Sequence, residues 1–444
     1  MTLIAFALGA TLVAAEPTPA PTTPVQTSPG PLETTVPPAA GVLTLDEAVK
    51  RALENQPSTR TAEARVDAVK ARIEQYKAEL RPQLGVGATA NFGSGKDFAG
   101  PSPNFQVGAQ ASWLVLDFGR TSAAVRSARL AVDTANSDLE TLRQTIIAQV
   151  ELAYFEAVAR RELVGVVQAS VEAETRHVND AERLVKVGVK PSFDLAQAKT
   201  QLSIAKTQYA RTQGDAKIAL TRLGLAMGGA SLQGVELPTG WPGPEPGEDS
   251  SVDALMNEAI TTRPDALAFN ITRRTAESAI DIAKLGLNPA LNLTARLGYG
   301  ASDSQNTGDW DTGPAWSAGA SFNWPLFDGG RTAAQIDEAR ADRRAVDSLY
   351  ESFEIGVRAD IETAVVQIAS AKEQLEAAQA SEAIAKEALR LAEARYHQGL
   401  SSGVELADAQ TNVVSVGADV VTAQWTLATA RAQLRASLGR GAVR

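Results

Sequence analysis

Two stretches of this 444-residue chain run for nearly seventy residues without a strong helix breaker, and they constrain everything else. Residues 120–187 and 331–397 contain no proline, and each holds one interior glycine, Gly165 or Gly356. An interior helical turn excludes proline, because proline lacks the N–H and its ring strikes the preceding turn. Each stretch is rich in Ala, Glu, Lys and Arg, which form helix readily. At about 1.5 Å per residue such a helix is a rod on the order of 100 Å long. Leu, Val and Ile are scattered thinly among the alanines, so the apolar stripe is narrow and needs neighbours along its whole length. Small side chains favour close helix approach, as in a coiled-coil wall, over a thick globular core. Glycine-containing turns, 188–191 and 399–403, end the rods, and a returning helix is expected after each, to about Gly224 and Leu438.

The rods belong to a programme that runs twice. Asp46 and Pro57 recur as Asp253 and Pro264, each 207 residues on (253 − 46 and 264 − 57). Arg81-Pro82-Gln83-Leu84 recurs as Asn288-Pro289-Ala290-Leu291 at the same spacing. Asp117-Phe118-Gly119-Arg120-Thr121 recurs as Asp328-Gly329-Gly330-Arg331-Thr332, now 211 residues on (328 − 117). Gly188, Leu195, Ala198 and Thr200 recur as Gly399, Leu406, Ala409 and Thr411, still at 211. Two in-register blocks separated by a four-residue change in spacing imply one duplicated unit with a loop-length difference. The chain therefore divides into a first repeat over 43–227, a Gly/Pro-rich linker over 228–250 and a second repeat over 251–440.

Between the helices of each repeat lie two segments in which every second residue is apolar. Leu84, Val86, Ala88, Ala90 and Phe92 alternate with Gly, Thr and Asn; Phe105, Val107, Ala109, Ala111 and Trp113 alternate with Gln106, Gly108, Gln110 and Ser112. Leu291, Leu293, Ala295, Leu297 and Tyr299 do the same, as do Trp316, Ala318, Ala320, Phe322 and Trp324. Period two predicts strands with one greasy and one wet face, over about 83–93, 105–116, 290–300 and 315–325. Each is long enough for a tilted membrane-spanning strand. Two hairpins packed on a soluble core would give the same alternation. The nearly unbroken polar rows and the tryptophans favour the membrane: Trp113, Trp310, Trp316 and Trp324 lie in or beside these strands, where an interfacial aromatic belt places them. Trp241 and Trp425 read as packing residues.

Composition removes other function classes. Lys+Arg number 42 against Asp+Glu 52, and a net charge of −10 without a basic cluster excludes nucleic acid as a partner. There is no Cys, hence no disulfide, thiolate metal site or Cys nucleophile. His177 and His397 stand in no metal-binding spacing and read as solvated helix-face residues. No catalytic, cofactor or metal constellation is present, so the chain reads as not an enzyme. Residues 1–15 form an apolar run ending Val13-Ala14-Ala15, too short to span a bilayer, and are expected to be a signal peptide. Its positive leader is missing, so either the signal is atypical or the start lies upstream of Met1. Residues 16–42 carry eight prolines and read as an extended, disordered tether.

Four strands cannot close on themselves in lipid, because every unpaired edge amide there costs several kcal/mol. Copies must share one barrel, and the rods leaving it must form a second, helical tube.

The order helix, strand pair, long helix, turn, returning helix, met twice, resembles the TolC-like outer membrane efflux protein family. The residues carrying the resemblance are Leu45-Asp46-Glu47-Ala48-Val49 with Asn55-Gln56-Pro57, the junction from Trp324 to Arg331, and the tips from Gly188 to Ala198 and from Arg395 to Gln410. It spans about 43–438. It implies a mainly α protein with a small β part: a homotrimer whose twelve strands close an outer-membrane barrel above a long α-helical barrel. It further implies a passive exit duct of a tripartite efflux or type I secretion system, with a periplasmic adaptor, an inner-membrane pump and outer-membrane lipid as partners. The tips, 187–194 and 398–405, would close the periplasmic mouth and meet the adaptor through Gly188, Val189, Lys190, Gly399, Leu400 and Ser401. By position, Asp194 and Tyr396 match polar residues that tie the tips shut in the family, and Glu405 and Asp408 match an acidic pair at the constriction. The arginine expected two residues after Gly399 is replaced by Ser401. Each of these has a blander reading: Ser402-Gly403-Val404-Glu405 is also a capping box, Asp194 suits a helix first turn, and Tyr396 suits interhelical packing. The rival readings are a soluble helical coiled-coil scaffold, which leaves the strand pairs unexplained, and the periplasmic adaptor itself, which would carry one helical hairpin.

Overall fold

The structure is a computed structural model that describes residues 41–93, 102–229, 232, 234–238, 240–302 and 310–441. The segment read as a signal peptide and the tether as far as residue 40 lie outside the described residues. The elements are α1 (Leu45–Asn55), α2 (Pro57–Ala78), β1 (Gln83–Gly93), β2 (Ser102–Leu116), α3 (Arg120–Lys186), α4 (Ser192–Ala226), α5 (Val252–Thr262) and α6 (Pro264–Lys284). A 3-10 turn (Leu285–Leu287), β3 (Ala290–Ser302), β4 (Asp311–Asn323), α7 (Arg331–His397) and α8 (Gly403–Ser437) complete it. The chain is mainly helical. The long helices α3 and α7 have 67 residues each, and the returning α4 and α8 have 35 each.

Local chemistry sets these boundaries. Thr44 and Ser251 cap α1 and α5 by accepting the amides of Glu47 and Ala254. Pro57 and Pro264 open α2 and α6, where a missing N–H costs nothing. At the head of α3, Asp117 accepts the Gly119 amide at 3.1 Å and the Thr121 amide at 2.5 Å. At the head of α7, Asp328 accepts the Gly330 amide at 3.1 Å and the Thr332 amide at 2.8 Å. The glycine at each helix entry has a positive φ, 99° at Gly119 and 89° at Gly330, which a side chain would resist. The recurrent Asp-x-Gly-Arg-Thr motif is thus a helix-start device.

The four strands form one antiparallel sheet in the order β1-β2-β3-β4, leaving β1 and β4 as its edges. The packed helices follow the same lateral order: α2 on α3, α3 on α6 and α6 on α7. Beyond them, α3 packs on both α4 and α8, and α7 on α8. Two large cores stand out, the first joining the two helical hairpins and the second lying within the second half. One gathers Val150, Tyr154 and Val158 of α3, Leu223 of α4, Ala428 and Ala432 of α8, and Leu232, Val235 and Leu237 of the linker. The other joins Leu255, Ile361, Ile368, Leu434 and Leu438. The linker also carries Glu245 and Glu248, both buried. Arg435 of α8 donates to Glu245 and to Glu151 of α3, and Arg431 donates to Glu248 at 2.9 Å. Burial tends to raise the Glu248 carboxyl, but its bonds from Arg431 and Lys372 outweigh this and hold it near 2. Among the described residues, no helix is long and apolar enough to cross a membrane.

Candidate functional site

Strand register sorts the side chains cleanly. Directly opposed residues share a face, and the pairs Leu84↔Ala111, Val86↔Ala109 and Ala88↔Val107 continue into Ala109↔Leu297, Val107↔Tyr299 and Trp113↔Leu293. They end in Leu297↔Trp316, Leu293↔Ala320 and Leu291↔Phe322. The other face reads Thr89↔Gln106, Gln110↔Arg296, Ser112↔Thr294, Arg296↔Ser317 and Asn292↔Ser321. One face is apolar across all four strands, and among the described residues no element covers it: Leu84 is 85% exposed, Val86 86% and Trp316 79%. A contiguous apolar face of this size in contact with water is unfavourable and marks a surface made for lipid or another chain. Trp310 stands just before β4, tilted against Phe105 with ring centroids 5.6 Å apart, and Trp324 stands just after it. The Trp113 indole donates to the Leu80 carbonyl at 2.9 Å, tying the strand to the end of α2.

At the far end of the rods, both tips turn alike. Gly188 and Gly399 sit at φ 76° and 74°. The Val189 amide reaches back to the Leu184 carbonyl at 2.9 Å, as the Leu400 amide does to Arg395. These are Schellman turns, which need a left-handed residue and receive glycine.

The side chains at the two tips differ. Lys190 of the first tip is only 12% exposed along its side chain. Its ammonium donates to the Ser401 carbonyl of the second tip at 3.1 Å and lies 3.9 Å from the Asp194 carboxylate. It also stands 4.8 Å from the centroid of the Tyr396 ring, a cation–π distance. Tyr396 is buried, edge-on to His177 with centroids 5.0 Å apart, and its hydroxyl has no hydrogen-bond partner. Tyr396 therefore contributes its ring. Burial, with Asp194 and Asp180 nearby, raises its pKa. His177, expected on a solvated face, is instead buried: the tip of α7 covers it through the Tyr396 ring. Burial lowers its pKa, with Asp180 and Asp194 opposing and His397 adding.

Three residues beyond that contact, Glu174 is buried with one oxygen unpartnered, and burial pushes its pKa up to about 7. No pattern in the sequence singles out this group, which occupies an ordinary position on α3. Glu405 and Asp408 both lie near the start of α8. The Glu405 amide donates to the Ser402 hydroxyl at 3.3 Å, completing half of a capping box, and its carboxylate pairs with Arg395 at 2.8 Å. Asp408 is exposed. Of the turn residues, Val189 and Leu400 are exposed, whereas Lys190 and Ser401 turn inward. Among the described residues there is no cluster of His, Cys, Asp and Glu able to hold a metal.

A family model described as outer membrane efflux protein matches residues 48–229 and again 255–440. The chain belongs to this family. Its members are transport channels of the outer membrane with a periplasmic extension. Among curated relatives, CyaE of Bordetella pertussis is 26% identical over 380 residues, covering 84% of this chain and 79% of that protein. The pyoverdine export outer membrane protein OpmQ of Pseudomonas aeruginosa is 25% identical, covering 91% of this chain and 86% of its own. Among solved structures, the CmeC outer membrane channel of Campylobacter jejuni superposes with a TM-score of 0.71 at 19% identity, over 89% of this chain and 85% of that one.

Proposed function

We propose that this outer membrane efflux protein is one third of a passive exit duct, carrying substrate from an inner-membrane pump and periplasmic adaptor across the periplasm and outer membrane. One observation carries the reading: a four-stranded sheet, greasy on one face and wet on the other, whose two edges no strand among the described residues pairs. Edge amides in lipid must find partners, and the edge-to-edge solution is β4 of one copy against β1 of the next. Three copies give twelve strands, a barrel wide enough for water. The apolar face meets lipid, with Trp113, Trp310, Trp316 and Trp324 as its aromatic belt, and the Gln, Thr, Ser and Arg296 rows line the lumen. The two halves act as two structural repeats, and residues 1–42 as signal peptide and tether.

The tips form the periplasmic gate. Asp194 and Tyr396 hold it through Lys190, which supplies a cation at the joint in the absence of an arginine at Ser401. Glu405 and Asp408 face the constriction and favour cations, with Val189 and Leu400 beside it to meet the adaptor. Cargo is selected by the pump, because a duct of this kind carries no chemistry of its own. In planar bilayers, the purified protein should form cation-preferring channels that open further when Asp194 becomes Ala. Loss of cation preference and trivalent-ion block in Glu405→Ala/Asp408→Ala supports the acidic constriction. A protein that never inserts into lipid refutes the duct.

A further inference from the structure

The sheet and the row of helices that follows it run out at the same two places. The sheet ends at β1 and β4, and the helical row ends at α2 and α7. Within the chain, the joint between α3 and α6 is made by Arg120, the first residue of α3. Its guanidinium donates to three carbonyls at the corner after α6: Leu285 at 3.0 Å, Gly286 at 2.9 Å, and Asn288. The residue matching Arg120 in the second half is Arg331, the first of α7 (331 − 120 = 211). Arg331 is exposed, and among the described residues its side chain makes no hydrogen bond or ion pair, its one recorded interaction being a charge attraction to Asp328.

The corner after α2 matches the corner after α6. Ala78, Glu79 and Arg81 stand 207 residues before Leu285, Gly286 and Asn288. The two corners fold alike: the Arg81 amide donates to the Ala78 carbonyl at 3.0 Å, and the Asn288 amide to the Leu285 carbonyl at 3.1 Å. Among the described residues, the Arg331 guanidinium meets no corner, and no guanidinium donates to the carbonyls of the corner after α2, where the Arg81 side chain points instead to Glu74 at 3.8 Å. The two stand at opposite ends of the same row. A guanidinium presents five donors in a rigid fork and is built for several acceptors at once.

We infer that Arg331 clamps the Ala78–Glu79–Arg81 corner of the neighbouring copy, repeating between copies the bond that Arg120 makes within one. The inference rests on the ring proposed above. It names the occupant, a second copy of this chain, by continuity with the α3–α6 interface. The Glu79 carboxylate, at the end of α2, adds an attractive charge that the corresponding Gly286 lacks, while Arg81, in place of Asn288, is drawn aside by Glu74 at 3.8 Å.

The absence of cysteine makes the test clean. The full-length variant Arg331→Cys/Glu79→Cys is treated in detergent with a short bismaleimide and run on a denaturing gel. A ladder ending at three chains is expected. The control Arg120→Cys/Gly286→Cys should cross-link inside one chain and give no ladder. Native mass spectrometry of the same sample reports whether copies are assembled at all. No ladder from an assembled ring overturns the clamp and leaves the ring standing; a protein that stays monomeric overturns both. Independently, Arg331→Gln should lower the temperature at which the ring dissociates, with Arg331→Lys recovering part of the loss. An unchanged dissociation temperature in Arg331→Gln also overturns the clamp.

Discussion

The two halves of the chain agree where structure is local and differ at several of the places where they touch each other, Arg120 and its counterpart Arg331 being an exception. Both long helices begin on an aspartate that accepts a glycine amide and a threonine amide, and both end on a left-handed glycine. Along the rods the agreement stops. The buried Glu174 of α3 corresponds to the buried Ala385 of α7 (385 − 174 = 211). Lys190 corresponds to Ser401, and these two matching positions meet across the joint. Arg435 of α8 corresponds to Gly224 of α4, and it bonds Glu151 in the other half. Residues that shape their own backbone repeat, because each half needs the same turns. Residues that join the halves at the rods and tips, such as Lys190 and Arg435, are free to differ, because one of each pair suffices.

The cross-half ties should therefore cost more to break than the repeated caps. The largest effect is expected from Arg435→Ala, which strands the buried Glu151 carboxylate and takes from the buried Glu245 the cation it is bonded to. Thermal unfolding followed by circular dichroism should register a loss of about 3–5 kcal/mol.

Next comes Glu174→Gln. Its folded pKa, about 7, lies above the ordinary 4.5, so the packed state prefers the protonated acid. Its contribution is therefore full below pH 4.5 and lost as pH rises through 7. Wild-type stability should fall across that window by on the order of 2–3 kcal/mol from this group. The glutamine variant should lack that part of the slope and be the more stable protein at pH 8. An unchanged slope would place Glu174 in contact with water.

Asp117→Ala should cost about 1–2 kcal/mol. Burial works to raise this carboxyl, but the bonds from Thr121 and Gly119 outweigh it and hold its pKa low, as an anionic cap requires. Asp328→Ala should cost less, since Asp328 is the more exposed of the pair. Equal losses would break the comparison.

The smallest effect is expected one residue on. Phe118 holds φ 50° where the other half has Gly329 at 71°. Phe118→Gly should therefore be neutral or stabilise by up to about 1 kcal/mol.

Much of this architecture was legible in the sequence, for reasons that stay within a few residues. A proline-free run of about 67 residues has no place to stop being helix, and alternation with period two assigns each strand residue to a face without knowledge of its neighbour. Glycine at 188 and 399 marks turns because few other residues sit comfortably at positive φ. What lay out of reach was contact across the halves. Periodicity says that Tyr396 and His177 lie on helices, but not that their rings meet, or that the phenol hydroxyl goes unused. Nor does it say that Lys190, one residue of a turn, folds inward onto Ser401. Glu405 was ambiguous between cap and pore acid, and its backbone is capped while its carboxylate is held by Arg395.

The account stands on a sheet that cannot satisfy its own borders. Native mass spectrometry of the protein extracted from outer membranes in mild detergent tests this most directly. An assembly of three chains is expected, and it should lose solubility when the detergent is withdrawn. A single chain that remains monodisperse in plain buffer would contradict it, because the exposed row from Leu84 to Trp316 would then be in water without a partner.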